Sequence, residues 1–474
     1  MTANRLANRT FVWQGLRSLV AMLVVIIYSR LMGAEGRGQL SILLINVQFF
    51  MLVLEWMVGS TVPNFMVKYG LKKTVRFSLI STAIIVILWC IIQGCVITWL
   101  SNNNNEGMAL NSTFSGACLL SALACLNVLL GYFQFKGWVE HRNRLQVLVE
   151  VLKLTLLLVG LTFLSSLIVQ GPLEGLGVLG MLWVAVHILD VGMVMWILVA
   201  ATWMSVLIAM AFCFKSIVSD WRNMEDQSTK DVEGATGEGW WEKWWLPKSA
   251  FMDGFWSQAG HLLYFALTRS PLWVINYYSD DKSVVGILAN VWLMWDTLMI
   301  VGNSYGVVIH SVALTGSATD TLPMLSQFTL KSLFRSLLLC GLVLIIPSDV
   351  YSTIFGWQFG NMYLCFAVLS PVVVLATVAS PYAHWLHATN RFKEIFNVYL
   401  VSMSTYAVLV LLGLCFRDFS DGMELGLQQA VVGIFGEENG IAENTVLVHW
   451  ELISLIPAFA VLLYRMRSVV NRVQ

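Results

Sequence analysis

Long apolar runs alternate with short polar ones along the whole chain. The first is 11–31, and five more follow near 40–62, 77–100, 114–135, 146–169 and 183–213. A second set lies near 250–278, 284–314, 329–352, 362–386, 394–416 and 445–464. A helix needs about 20 mostly apolar residues to cross a bilayer, so each run predicts one spanning helix. The pattern predicts an all-α polytopic membrane protein of about 12 transmembrane helices.

Composition agrees. The 474 residues are 58% hydrophobic and 12% charged, where soluble domains carry about 45–50% and about 25%. A net charge of zero gives no reason to expect a nucleic-acid partner. All eight cysteines lie in apolar stretches with no C-x-x-C pair, so they read as small buried hydrophobes. Arg5, Arg9 and Arg17 before the first run imitate a signal peptide, but no A-x-A-like site follows. The run reads as a retained first helix.

Charge placement sets the topology. Read as one span, 183–213 puts 22 of the 28 Lys and Arg on one side of the membrane, including Lys136, Arg142, Arg391 and Arg465. Basic residues mark cytoplasmic loops, so both termini are expected in the cytoplasm. Arg30, Arg37, Lys282 and Arg417 are left to the outer loops. The one long polar inner segment divides the chain into a six-helix lobe over 1–214, a cytoplasmic linker over 215–248 and a second six-helix lobe over 249–474. Its "WWEKWWLPK" reads as an anchor at headgroup level.

The halves resemble one another. "HRNRLQVLVE" from His141 and "NRFKEIFNVY" from Asn390 align Arg142 with Arg391, and Gly38 aligns with Gly286 at nearly the same offset. Two pseudo-symmetric lobes related by an axis along the membrane normal would give this pattern.

Two glycine-rich stretches invite a phosphate-loop reading: "GAEGRG" from Gly33, and "GLGVLG" from Gly175, which matches G-x-G-x-x-G. A phosphate loop needs a preceding strand and a helix N-terminus facing nucleotide. Both stretches fall instead in outer turns, with Gly33 as a helix C-cap.

Polar residues inside the spans form faces. Asp253, Ser257, His261, Tyr264 and Thr268 stay within roughly an 80° arc of span seven. Arg269 lies about 120° from that stripe's centre. Span eight repeats the device with Asp296, Asn303 and His310. In span five Gln146, Glu150 and Lys153 share a face, and Glu150–Lys153 have pairing distance in sequence, as do His187–Asp190. Charges at mid-span cost about 2.5–3.5 kcal/mol even on insertion scales, so most must face protein or a watered cavity. The plainer alternatives are a structural Glu150–Lys153 pair, headgroup contacts for Arg17 and Asp253, and a neighbouring helix for Arg269. His384 and His387 lack thiols or carboxylates close in sequence, so no metal cluster is expected.

The stretch "SRLMGAEGRGQLSILLINVQFFMLVLEWMVGS" resembles the first hairpin of polysaccharide (O-antigen and exopolysaccharide) flippases. These belong to the MOP exporter superfamily, with the multidrug and toxic compound extrusion transporters. "LTRSPLWVINYYSDDKSVVGILANVWLMWDTLMIVGNSYG" and "YAHWLHATNRFKEIFNVY" resemble the family's helices seven and eight and its junction of helices ten and eleven. The likeness runs from about Arg9 to Arg467 and is carried by helix count, loop glycines and scattered polar positions. It departs at Ser270-Pro271, where family members often carry an acidic residue just after the basic one.

The resemblance implies a monomeric, non-enzymatic flippase in the bacterial inner membrane. It would move a lipid-linked oligosaccharide by alternating access, beside membrane lipids and polysaccharide polymerase machinery. Spans one, two, seven and eight would line a cavity in which Arg17, Lys153, His261 and Arg269 meet a pyrophosphate or acidic sugar. Glu55, Asp253 and Asp296 would take a coupling proton or Na⁺, and no other cofactor is expected. Two alternatives stay open: a multidrug exporter of the same superfamily, and a membrane polymerase or ligase. The latter fits poorly, because the longest outer segment, 417–444, has one basic residue and no histidine.

Overall fold

The computed structural model describes residues 3–54, 65–66, 73–78, 106–135, 138–169, 191–232, 248–279, 281–315, 319–419 and 442–472, with a few positions between 80 and 91. Among them there is no strand. The first half contributes α1 (Ala3–Leu54), α2 (Glu106–Phe135), α3 (Val139–Val169) and α4 (Val191–Val232). The second contributes α5 (Lys248–Tyr278), α6 (Lys282–Leu298), α7 (Ile300–Thr315), α8 (Leu322–Ile345), α9 (Ser348–Phe355), α10 (Met362–Ala388), α11 (Phe392–Phe419) and α12 (Ala442–Asn471).

By length and apolarity, six of the described helices can cross a membrane, or seven when α6 and α7 are taken as one bent span. Large apolar side chains such as Phe212, Leu338, Ile345 and Leu411 lie exposed on α4, α8 and α11. On a multi-pass membrane protein that is the lipid-facing surface. Each half keeps its own packing: two apolar clusters join α1 to α4, and one large cluster joins α5 to α12 with a few side chains of α1.

The turn expected at "GAEGRG" narrows to one residue. Gly33 alone breaks α1, with φ +66°, a left-handed conformation that glycine adopts without steric cost. The second arm begins at once: the Ala34 N–H donates to Gln358 Oε1 at 2.8 Å. Arg30 reaches the carbonyls of Thr353 and Ile354 in the last turn of α9, where helix carbonyls attract a cation.

Two further expectations change. The run 284–314 is not one straight span: α6 and α7 meet at Met299 with a 43° bend, although the Met299 N–H still bonds the Trp295 carbonyl at 2.9 Å. The bend lets α7 settle on α10, where a Cβ on Gly302 would come within 2.4 Å of the Thr377 carbonyl. The helix in the sixth run extends to Val232, well into the segment read as linker. Residues 170–190, with "GLGVLG" and His187–Asp190, lie outside the described residues, as do Glu55 and the tryptophan patch at 240–245.

Candidate functional site

A cavity of about 590 Å³ lies between the halves, walled by α1, α3 and α4 on one side and by α5, α6 and α7 on the other. Arg17, Lys153, His261, Arg269 and Asp296, from four different helices, all line it. So do Tyr264, Thr268 and Asn303 from the polar faces of spans seven and eight. Asp253 lies apart, in a groove of about 510 Å³ with Arg391, Lys393 and Glu394.

The charges in the cavity are held by specific partners. Arg269 Nη2 lies 2.8 Å from Asp296 Oδ2 and 3.1 Å from Oδ1. The sequence offered no acid next to Arg269; the helix after it supplies one. The Asp296 side chain is 52% exposed, so this pair is hydrated and exchangeable rather than locked. Lys153 Nζ is 3.0 Å from Glu150 Oε1. Arg17 donates to Gln14 Oε1 at 3.4 Å, and Gln14 Nε2 donates to Asn143 and Gln146 at 3.1 and 2.8 Å. That amide chain ties α1 to α3.

Arg37 corrects the topology reading. The charge pattern predicts an outer loop for it; because Gly33 alone makes the turn, Arg37 is already inside the helix, 7% exposed, and lines the cavity. Its Nε donates to Asn290 Oδ1 at 3.0 Å and its Nη1 to Ser41 Oγ at 2.8 Å. Asn290 in turn donates to Ser29 at 2.9 Å, so three polar groups bridge α1 and α6. The signal in the sequence was the Gly36–Arg37–Gly38 triplet: small residues flank Arg37 where two helices approach.

The cavity continues into a smaller chamber of about 240 Å³ that shares His261, Tyr264, Met299 and Asn303 with it. Four of the seven histidines line this chamber: His261, His310, His384 and His387. The His261 and His387 rings are 4.7 Å apart, and those of His310 and His384 are 6.1 Å apart. Gly306 makes the room: a Cβ there would lie 2.1 Å from the His384 ring. Among the described residues, no group of three or more His, Cys, Asp or Glu is arranged to hold a metal ion.

Solved structures share this architecture over nearly their whole length. An outward-facing multidrug resistance MATE family transporter of the MOP superfamily aligns over 100% of this chain and 96% of its own, with a TM-score of 0.61 at 12% identity. The Vibrio cholerae MATE transporter VcmN, solved as a mutant, aligns over 99% and 98% with a TM-score of 0.62 at 10% identity. The chain has the MATE transporter fold. The eukaryotic MATE transporter AtDTX14 covers 100% of this chain and 98% of its own, at a TM-score of 0.54 and 14% identity. No family model and no curated protein matches the sequence. The likeness to MATE transporters therefore lies in the three-dimensional path of the chain. The all-helical, multi-pass expectation stands on that path.

Proposed function

We propose that this protein is a flippase of MATE architecture that carries a lipid-linked oligosaccharide across the cytoplasmic membrane by alternating access. The observation that carries the reading is the charge of the cavity: Arg17, Arg37, Lys153 and Arg269 against Glu150 and Asp296. A cavity with surplus cations favours a diphosphate or acidic sugar over a cationic drug, and Arg offers the planar fork that phosphate oxygens match. The Arg269–Asp296 pair suits a carrier. An incoming phosphate competes with the exposed carboxylate for the guanidinium, and the carboxylate it releases becomes free to take a proton or Na⁺.

The second reading is a cation-coupled multidrug exporter. It is favoured by the half-exposed Asp296 and by the stated activity of the multidrug MATE transporter with the same fold.

The test is a lipid extract from cells with and without the gene, with surface polysaccharide scored in parallel. The flippase reading expects lipid-linked repeats to accumulate and surface glycan to fall, both restored by the wild-type gene. Unchanged lipid intermediates, together with new sensitivity to cationic drugs, would favour the exporter.

A further inference from the structure

The small chamber beyond the main cavity has a composition that the transport reading does not explain. Arg142, on α3, lines it opposite the four histidines. The Arg142 Nε and Nη1 are buried without a hydrogen-bond partner, and so is His310 Nε2. His310 is 3% exposed. A guanidinium cannot lose its charge in a protein, and buried donors left unmade are costly. Among the described residues that line the chamber there is no carboxylate. A fixed cation with idle donors, imidazoles around it and no acid to answer them make a site built for something negative.

We infer that Arg142 and the histidines of α7 and α10 form a phosphoryl-anion site, separate from the Arg269 site. The volume of about 240 Å³ far exceeds the roughly 30 Å³ that one water occupies. Ser380 and Asn303, also in the lining, bond each other at 2.9 Å and add polar atoms to the wall. A metal ion is the wrong guest: the Arg142 charge repels it, and among the described residues no group of three or more His, Cys, Asp or Glu is set to ligate one.

The ionisable surroundings can be named helix by helix. From α3 comes Arg142; from α5, His261 and Tyr264; from α7, His310. From α10 come His384 and His387, and from α11, Tyr399. The chamber wall from α12 is Phe459, Leu462 and Met466, and Arg17 on α1 adds positive charge near Arg142.

This site deepens the proposed transport function, and the bearer of the phosphate, the diphosphate of a lipid-linked glycan, rests on that reading. Binding of the anion itself does not. The probe is inorganic pyrophosphate, titrated by calorimetry into the protein in nanodiscs at neutral pH. Arg142→Gln should weaken binding at least about tenfold, the loss expected for charge-assisted hydrogen bonds. Arg142→Lys should fall in between. His310→Leu combined with His384→Leu, which removes two imidazoles from the chamber wall, should weaken binding at least about fivefold, as the loss of two neutral hydrogen-bond donors would. Arg391→Gln, a cation in the groove with Asp253 and outside both cavities, should leave binding within about threefold.

Thermal melts confirm that each variant is folded. Should Arg142→Gln prove unstable, the lysine and histidine variants carry the comparison. Absence of pyrophosphate binding to the wild type overturns the inference. So does binding that is lost with Arg269→Gln but kept with Arg142→Gln. If cells lacking the gene accumulate no lipid-linked glycan while the calorimetry behaves as expected, the flippase reading fails and the anion site stands.

Discussion

Gly38 and Gly286 meet where the second arm of α1 crosses α6. A Cβ on Gly286 would fall 1.9 Å from the Ala34 carbonyl oxygen, and one on Gly38 would fall 2.3 Å from that of Lys282. The two glycines, 248 residues apart, align in the repeat that the sequence suggests, and at their contact the backbones of the two helices touch. Small residues let membrane helices close on one another. Gly286→Ala therefore forces α6 away from α1, at a cost of about 1–3 kcal/mol for an overpacked site. Thermal unfolding in detergent should show this as a clearly lowered midpoint. Gly341→Ala is the control: nothing lies within 4 Å of a Cβ there, so it should melt at or slightly above the wild type. Equal midpoints for the two variants would mean that the crossing tolerates separation.

Arg269 and Asp296 should act on transport more than on stability. Their ion pair is partly hydrated, and such pairs contribute at most about 1 kcal/mol. Arg269→Gln and Asp296→Asn should each insert into the membrane and melt near the wild type, yet lower transport at least tenfold, about what losing a charged hydrogen bond to the cargo would do. The double variant should fall by less than the product of the two losses, because each partner's role depends on the other. His261→Ala, which removes an imidazole shared by both cavities, should also impair transport. Wild-type rates in all three would remove these residues from the mechanism.

Asp253 gives the opposite expectation. It shares the polar face of span seven with His261 and Tyr264, but the structure puts it in the groove with Arg391, Lys393 and Glu394, outside the central cavity. Asp253→Asn should leave transport within about twofold and stability within about 0.5 kcal/mol, as substitutions away from cores and sites usually do. A loss as deep as that of Asp296→Asn, in the same vesicle assay, would put the coupling ion in that groove instead.

These contrasts show which parts of the site the sequence displays. Periodicity places His261, Tyr264 and Thr268 on one face, and i, i+3 spacing finds the Glu150–Lys153 pair, because both depend only on the geometry of one helix. The offset of Gly38 and Gly286 is likewise visible as a repeat. Arg37 is hidden because turn length cannot be read from glycine content: one residue at φ +66° does what a loop of six was expected to do. The Arg269–Asp296 pair and the histidine chamber are hidden for another reason. Each is assembled from separate helices: Gly302 and Gly306 let α7 settle onto α10, which brings His310 to His384, and Arg142 comes from α3. Asp253 fails in reverse: a shared helical face continues past the end of the cavity it lines.

Tyr406 and Glu451 make the last case, a charge-bearing residue that periodicity does not reveal and that lies away from both cavities. The Tyr406 hydroxyl donates to Glu451 Oε2 between α11 and α12. Glu451 is fully buried, and its other oxygen has no hydrogen-bond partner. A carboxyl group so placed depends on its one donor. Tyr406→Phe removes the donor and leaves the group stranded, which should destabilise the protein by about 1–3 kcal/mol. Pairing it with Glu451→Leu takes away the stranded group as well and should recover most of that loss, since an apolar pair of similar shape is nearly neutral. Unfolding midpoints of the two single variants and the double variant in detergent check this directly. Recovery in the double variant, with transport unchanged throughout, would mark the bond as a strut between two helices. A double variant that melts as early as Tyr406→Phe would mean that the stranded carboxyl group is not the source of the loss.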